Sequence, residues 1–182
     1  MLVTRFDACR HPARRRGYTL VELLCIFVIA SVLLAAGTPG FLRLLRQHRL
    51  SAAVNDFHAA LLVARSEALR RGVRVDVVAA DGGWRAGWMV LVDSNRNGRA
   101  DPGEEIIRQH GALPGDMSVS ASLADMSAAY LGYSPAGRSS SYAGGAQFGS
   151  WTFACGDVRR KLILNFYGRA RSCNPDGDKA DC

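Results

Sequence analysis

The sequence predicts an α+β chain in which one long N-terminal α-helix, half transmembrane and half amphipathic, packs on an antiparallel β-sheet domain. Three observations carry this reading. The 20 residues from Leu23 to Leu42 hold no charge, apolar residues then recur at helical spacing from Leu50 to Ala68, and beyond Gly72 short alternating or apolar runs are separated by turn residues. With 182 residues, 48% hydrophobic and 21% charged, the chain has room for one core and an appendage, which excludes a large multidomain enzyme.

The uncharged run LLCIFVIASVLLAAGTPGFL is long enough to cross the roughly 30 Å hydrocarbon core as a helix. Ahead of it, Arg5, Arg10, Arg14, Arg15 and Arg16 stand against Asp7, a balance of +4. From Arg43 onward 18 basic and 14 acidic residues give +4 again, and Glu22 supplies the −1 that completes the net +7. By the positive-inside rule the arginines stay cytoplasmic, and the chain after Leu42 lies across the inner membrane. An ordinary secretory signal peptide is not expected, because Gly17 separates the arginines from the apolar run and no A-x-A site follows. A carboxylate at Glu22, near the start of a membrane helix, is costly unless it finds a partner.

Thr38-Pro39-Gly40 is expected to interrupt the helix, since an interior proline withdraws a backbone donor. Beyond it Leu50, Val54, Phe57, Leu61, Ala64 and Ala68 follow one another at spacings of 4, 3, 4, 3 and 4, one apolar stripe along a helix. Arg70-Arg71 followed by Gly72 marks the stop, so the helix runs from about Tyr18 to Arg71. Strands are then predicted over residues 74–78, 87–92, 105–110, 118–123, 129–133, 150–155 and 161–166. Seven short strands after one long helix imply an antiparallel sheet with the helix laid across it. Residues 134–149, rich in Ser, Gly and Ala, read as a mobile hairpin or surface loop.

The stretch RRRGYTLVELLCIFVIASVLLAAGTPGF resembles the N-terminus of a type IV pilin precursor. That resemblance implies cleavage after Gly17 by a prepilin peptidase and methylation of the new amine at Tyr18, where Phe is usual in the family. It also implies pairing of Glu22 with the amine of a neighbouring subunit, and a Pro39 placed where pilin helices bend or melt on assembly. The segments RLSAAVNDF (49–57), ARSEA (64–68), WRAGW (84–88), Val92-Asp93, DPGE (101–104) and GRAR (168–171) are similar to FimT/GspH-type minor pilins, and the chain is identified as a member of that family. The membership implies a leader at 1–17, a transmembrane and filament-core helix at 18–42, an amphipathic helix at 43–72 and a periplasmic β-rich domain at 73–182. It implies an inner-membrane, single-pass protein that later enters an extracellular pilus or a periplasmic pseudopilus. The implied partners are other pilins or pseudopilins, the prepilin peptidase and the inner-membrane assembly platform, with no cofactor. A minor pilin that enters or primes a type IV filament is the first functional reading, and a type II secretion pseudopilin acting in protein export is the alternative.

Within the domain two motifs compete. Asp93-Ser94-Asn95-Arg96-Asn97-Gly98 with Glu104 fits the calcium-loop pattern, Asp93, Asn95, Asn97 and Glu104 supplying the oxygens. The motif lies between strands, however, and Asn, Gly and Asp also suit a plain hairpin turn, so no metal is expected. The other motif is basic. Arg159, Arg160 and Lys161 precede the strand that begins at Leu162, Arg169 and Arg171 follow it, and alternation places the last two on one face where guanidinium groups can pair with phosphate. On charge alone this is a solvated basic edge. The resemblance adds that the GRxR element of FimT-like minor pilins from naturally competent bacteria is tied to capture of extracellular DNA. Gly168, Arg169, Arg171, Lys161, Arg160 and Arg159 are therefore the candidate contacts to double-stranded DNA, made through its backbone without sequence preference. Tyr167 can stack on a base or simply pack. Asp176, Asp178 and Asp181 confine such a site to positions before Asn174.

Cys9 belongs to the leader and Cys25 to the apolar run, which leaves Cys155, Cys173 and Cys182 in an oxidising compartment. Connectivity is open, with Cys155 to either Cys173 or Cys182 preferred. His11, His48, His58 and His110 are scattered and no nucleophile elbow is present, so no enzyme is expected.

Overall fold

The computed structural model describes residues 17–125, 129–177 and 182. The arginine-rich leader before Gly17, with Cys9, and the acids Asp178 and Asp181 lie outside the described residues. The chain forms two units, divided after Phe41.

The first unit holds the start of α1 (Leu20–Arg71), which begins at a capped end: Thr19 Oγ1 accepts the Glu22 N–H at 3.2 Å, which satisfies a donor that the first turn leaves unpaired. Its large apolar side chains are exposed, Leu20 by 81% and Leu34 by 72%, an all-round apolar surface suited to lipid. The helix is long and apolar enough to cross a membrane. The expected interruption does not occur, for the backbone stays helical through Thr38, Pro39 and Gly40. Pro39 lacks a backbone donor, and beside it the Thr38 hydroxyl donates to the Leu34 carbonyl at 2.5 Å, an added bond in the same turn.

In the second unit, Leu42–Cys182, the predicted stripe is the helix's buried face. Leu50, Val54, Phe57, Leu61, Ala64 and Ala68 are each at most 2% exposed. Gly72 ends the helix, its N–H donating to the Ala68 carbonyl at 3.0 Å. There follow β1 (Val75–Ala79), β2 (Trp88–Val92), β3 (Glu105–His110), β4 (Met117–Leu123), β5 (Tyr130–Tyr133), β6 (Ser139–Ser140), β7 (Gly149–Cys155), β8 (Val158–Leu164) and β9 (Ala170–Cys173). They form two antiparallel sheets, ordered β3-β2-β1-β5-β6 and β4-β7-β8-β9, where one was expected. The chain leaves the first sheet after His110, because the Leu113 N–H donates to the Arg85 carbonyl at 2.9 Å and the Met117 N–H to the Pro114 carbonyl at 2.9 Å. That turn sends β4 to β7 instead of back to β3.

The core centres on Phe57. Its ring meets Trp88 and Trp151 edge-on at 5.0 Å, Trp84 at 5.4 Å and Phe153 at 5.7 Å, so one side chain joins the helix to both sheets.

Residues 134–149 are not the loose loop their composition suggests. They carry β6, and Ser139 and Gln147 are buried. Gln147 Nε2 donates to the Tyr130 carbonyl at 3.0 Å, its Oε1 accepts the Gly132 N–H at 3.3 Å, and Ser139 Oγ donates to the Gln147 carbonyl at 2.5 Å. Small side chains here let buried polar groups come within bonding reach.

Beside them Asp76 is fully buried and receives Arg74 Nε at 2.9 and 3.1 Å, while the same guanidinium donates to the Ser140 and Ser141 carbonyls, each at 2.9 Å. The guanidinium lies across Gly132, where a Cβ would come within 1.8 Å of Arg74 Nη2. Burial, opposed by Arg74, pushes the Asp76 carboxyl up to about 6. The folded chain thus holds this proton more tightly than the unfolded chain, whose aspartate titrates near about 4. The stability that Asp76 contributes is full below that value and is lost as pH rises through about 6. Thermal melts of the parent and Asp76→Asn will show the parent's stability, relative to the variant, falling between about pH 4 and about pH 7; a constant difference would contradict this assignment.

Candidate functional site

A polar turn and two neighbouring elements build the basic site. Asn165 organises the β8–β9 turn: its Oδ1 accepts the N–H groups of Tyr167 at 3.1 Å and Arg169 at 2.9 Å. Gly168 is buried in this turn at φ 77°, and a Cβ there would lie 2.7 Å from the Gly137 carbonyl oxygen. Its part is therefore structural: it lets the turn press against the loop before β6. Arg65 of α1 reaches the same turn and donates from Nη1 to the Gly168 carbonyl at 3.2 Å.

Arg65, Arg138, Asn165, Tyr167 and Arg169 line a cleft of about 580 Å³. Among the described residues none of its three arginines has a carboxylate partner. The Arg138 guanidinium stands 5.9 Å from the centre of the half-exposed Tyr167 ring. Guanidinium groups without carboxylate partners around an open cleft have the chemistry to pair with phosphate-type anions, and an exposed ring beside them the chemistry to stack.

The other predicted basic residues are placed differently. Arg159, Arg160 and Lys161 do not precede the strand but lie within it, because the two-residue Gly156-Asp157 turn lets β8 begin at Val158. Register puts Arg171 opposite Ile163, on the face of β8 that carries Arg159 and Lys161, whereas Arg169 precedes β9 and opens onto the cleft. Arg159 is paired with Asp176 at 2.5 Å, Arg160 Nη1 donates to the Arg159 carbonyl at 3.1 Å, and Lys161 Nζ donates to the Cys182 main-chain oxygen at 3.2 Å. Of the predicted set only Arg169 and Arg171 keep exposed, uncommitted charge.

Arg65 and Arg138 are not among the binding residues expected from the sequence, where Arg65 figures only within the ARSEA segment, although each leaves a trace there. Arg65 falls four residues after Leu61 and three before Ala68, so it rides beside the buried stripe, and Arg138 is the one charged residue between Ser134 and Gly149. At the other end of the chain, Gly17 and Tyr18 precede the first turn of α1 and Glu22 lies in it, all three exposed.

A family model described as type II transport protein GspH matches residues 53–168, more than half of the chain. The chain belongs to the GspH/FimT family of minor pilins. A second model, the prokaryotic N-terminal methylation motif, matches residues 12–38. The chain is 39% identical over 98 residues to the pilin-like protein PilA1 of Thermus thermophilus, and the match spans 53% of this chain but only 60% of that relative. Among solved structures, the type IV minor pilin FimU of Pseudomonas aeruginosa matches with a TM-score of 0.53 at 19% identity, over 71% of this chain and 92% of FimU. The minor pseudopilin EpsH from the type 2 secretion system of Vibrio cholerae matches with a TM-score of 0.52 at 14% identity, over 70% of this chain and 98% of EpsH. The pilin-like fold, a long helix on antiparallel sheets, is thereby shown.

In this minor pilin the calcium-like loop closes on its own donors. Asp93 Oδ1 accepts the Arg96 N–H at 2.6 Å, and its Oδ2 accepts the Gly98 N–H at 2.8 Å and the Tyr142 hydroxyl at 2.5 Å. Asn95 and Asn97 turn their Nδ2 groups to Asp101, at 2.7 and 2.5 Å, and their oxygens to backbone N–H groups. These amides hold the Asp101 carboxyl below its usual range. Glu104 accepts the N–H groups of Ser94 and Asp101. A cation would require the same oxygens.

The cysteines pair otherwise than preferred. Cys173 bonds Cys182 with Cα atoms 5.9 Å apart, and Cys155 is free and buried, its thiol donating to Asp116 at 3.4 Å. Cys155 faces the core from β7, whereas Cys173 lies on the outer face of β9, with the whole of β8 between them. Two strand spacings, about 9.6 Å, exceed a disulfide's reach. With the oxygens of the Asp93 loop engaged by the loop's own donors, melting temperatures in chelator and in millimolar calcium are expected to agree; a calcium-dependent rise would restore the metal reading.

Proposed function

We propose that this chain is a minor pilin of a type IV pilus, assembled into or priming the filament, and that its arginine cleft holds the backbone of extracellular double-stranded DNA for uptake. The observation that carries the DNA reading is the cleft of Arg65, Arg138 and Arg169, cations without carboxylate partners beside an exposed tyrosine. Contacts of this kind grip phosphate and read no bases, so binding is modest and salt-sensitive. The identity to a pilin-like protein of Thermus thermophilus supports the pilus assignment.

The reading includes cleavage after Gly17 by a prepilin peptidase, which leaves Tyr18 at the N-terminus, and insertion through an inner-membrane assembly platform beside other pilins. Glu22 then finds its counter-charge in a neighbour's amine, which removes the cost of a lone carboxylate in an apolar helix. Mass spectrometry of the chain recovered from cell envelopes will show a protein that begins at Tyr18; recovery with residues 1–17 still attached would end this part of the reading.

The family's description as a type II transport protein favours a second reading, a pseudopilin acting in protein export without DNA binding. Gel shifts separate the two. The unit Leu42–Cys182 will bind duplex DNA at low salt and release it as salt rises, with Arg169→Ala weakening binding more than Arg171→Ala because only Arg169 lines the cleft. Absence of binding at low salt would favour the secretion reading, and unchanged binding in both variants would remove the site assignment.

A further inference from the structure

The basic surface does not stop at the first cleft. A second cleft of about 310 Å³ shares Arg138 with it and is bounded by Phe166, which is 46% exposed. A third, of about 270 Å³, shares Ser134, Ser140 and Gly144 with the second and reaches Arg74 and Arg96. No Asp or Glu lines any of the three. Arg74 is committed to Asp76 and lies over the Tyr142 ring at 4.5 Å, so its charge is spent within the fold. Arg96 is exposed and, among the described residues, has no ion-pair partner.

Arg96 is also where the backbone is strained. At φ 58° it is the one residue other than glycine with a positive φ among the described residues, and the Asp93 carboxylate fixes it there by accepting its N–H at 2.6 Å. A loop that had only to turn would carry Gly or Asn at this point, as it does on either side at Asn95 and Asn97. An arginine kept in a conformation that Asn adopts more easily has a use for its side chain, and the groove it lines supplies one.

We infer that the nucleic-acid path runs from Arg169 and Arg65 past Arg138 and over the β5–β6 hairpin to Arg96, so that one phosphate chain meets cations along three joined clefts. This rests on the DNA reading of the first cleft and sets the direction and extent of the bound strand. The path leaves β8 aside, where Arg159 is already paired with Asp176.

The test is a fluorescence anisotropy titration of the full chain in detergent with a labelled duplex oligonucleotide at several salt concentrations. Arg96→Asn keeps the left-handed turn, so its melting temperature will match or exceed the parent's. Its affinity will fall about three- to tenfold at low salt, and the slope of log affinity against log salt will flatten by about one, the value for one lost phosphate contact. Arg138→Ala will behave alike, and Arg159→Ala will leave both quantities unchanged. If Arg169→Ala weakens binding while Arg96→Asn alters neither affinity nor slope, the path ends at the first cleft and this inference is overturned, with the DNA reading intact. If the parent binds no duplex at low salt, both fall together.

Discussion

The placing of Phe57 is the constraint on which the rest of the domain depends. A ring held edge-on by Trp88, Trp151 and Trp84 and tilted against Phe153 fixes the rotation and the height of α1 against both sheets at once. Arg65 stands eight residues further along, about two helical turns. Where its guanidinium meets the β8–β9 turn is thus set by aromatic packing that contains no charge. The domain joins a dry hub to a wet cleft through one rigid helix.

A second layer of order is polar. Arg74, Asp76, Ser139 and Gln147 are buried or nearly so, and their bonds knit β1, β5 and β6 to the segment before β7. A buried ion pair adds little net stability, since desolvation offsets much of the attraction, but a partner left alone is costly. The effect here is to permit one arrangement of the hairpin. Arg138 and Tyr142 are carried on that hairpin, so the groove beside the cleft inherits its rigidity.

Local chemistry made much of this legible in the sequence. All six stripe positions are core, Gly72 ends the helix, and the strands predicted over 105–110 and 118–123 are present, within one residue at their ends. What escaped depends on pairing between distant segments. Whether β4 joins β3 or β7 is settled by hydrogen bonds of Leu113 and Met117 to carbonyls, which no periodicity records. Ser139 and Gln147 look like loop residues because their burial is made possible by partners from other strands. The same holds for the site: Arg169 stood out through its motif, while Arg65 and Arg138 join it only through the fold. The preferred cysteine pairing failed because the side of a sheet to which a thiol points follows from register, and register was not known.

The Cys173–Cys182 bond lies among the contacts that bring the tail onto β8: Asp176 sits on Arg159, and the Cys182 main-chain oxygen sits on Lys161. That tether works on the electrostatics of the domain as well as on its chain. With Arg159 of β8 paired by the tail's Asp176, that strand carries less free charge, and the field of a domain with excess positive charge is weighted towards the arginines that have no carboxylate partner among the described residues. A polyanion approaching from a distance is steered by that contrast before it touches any residue.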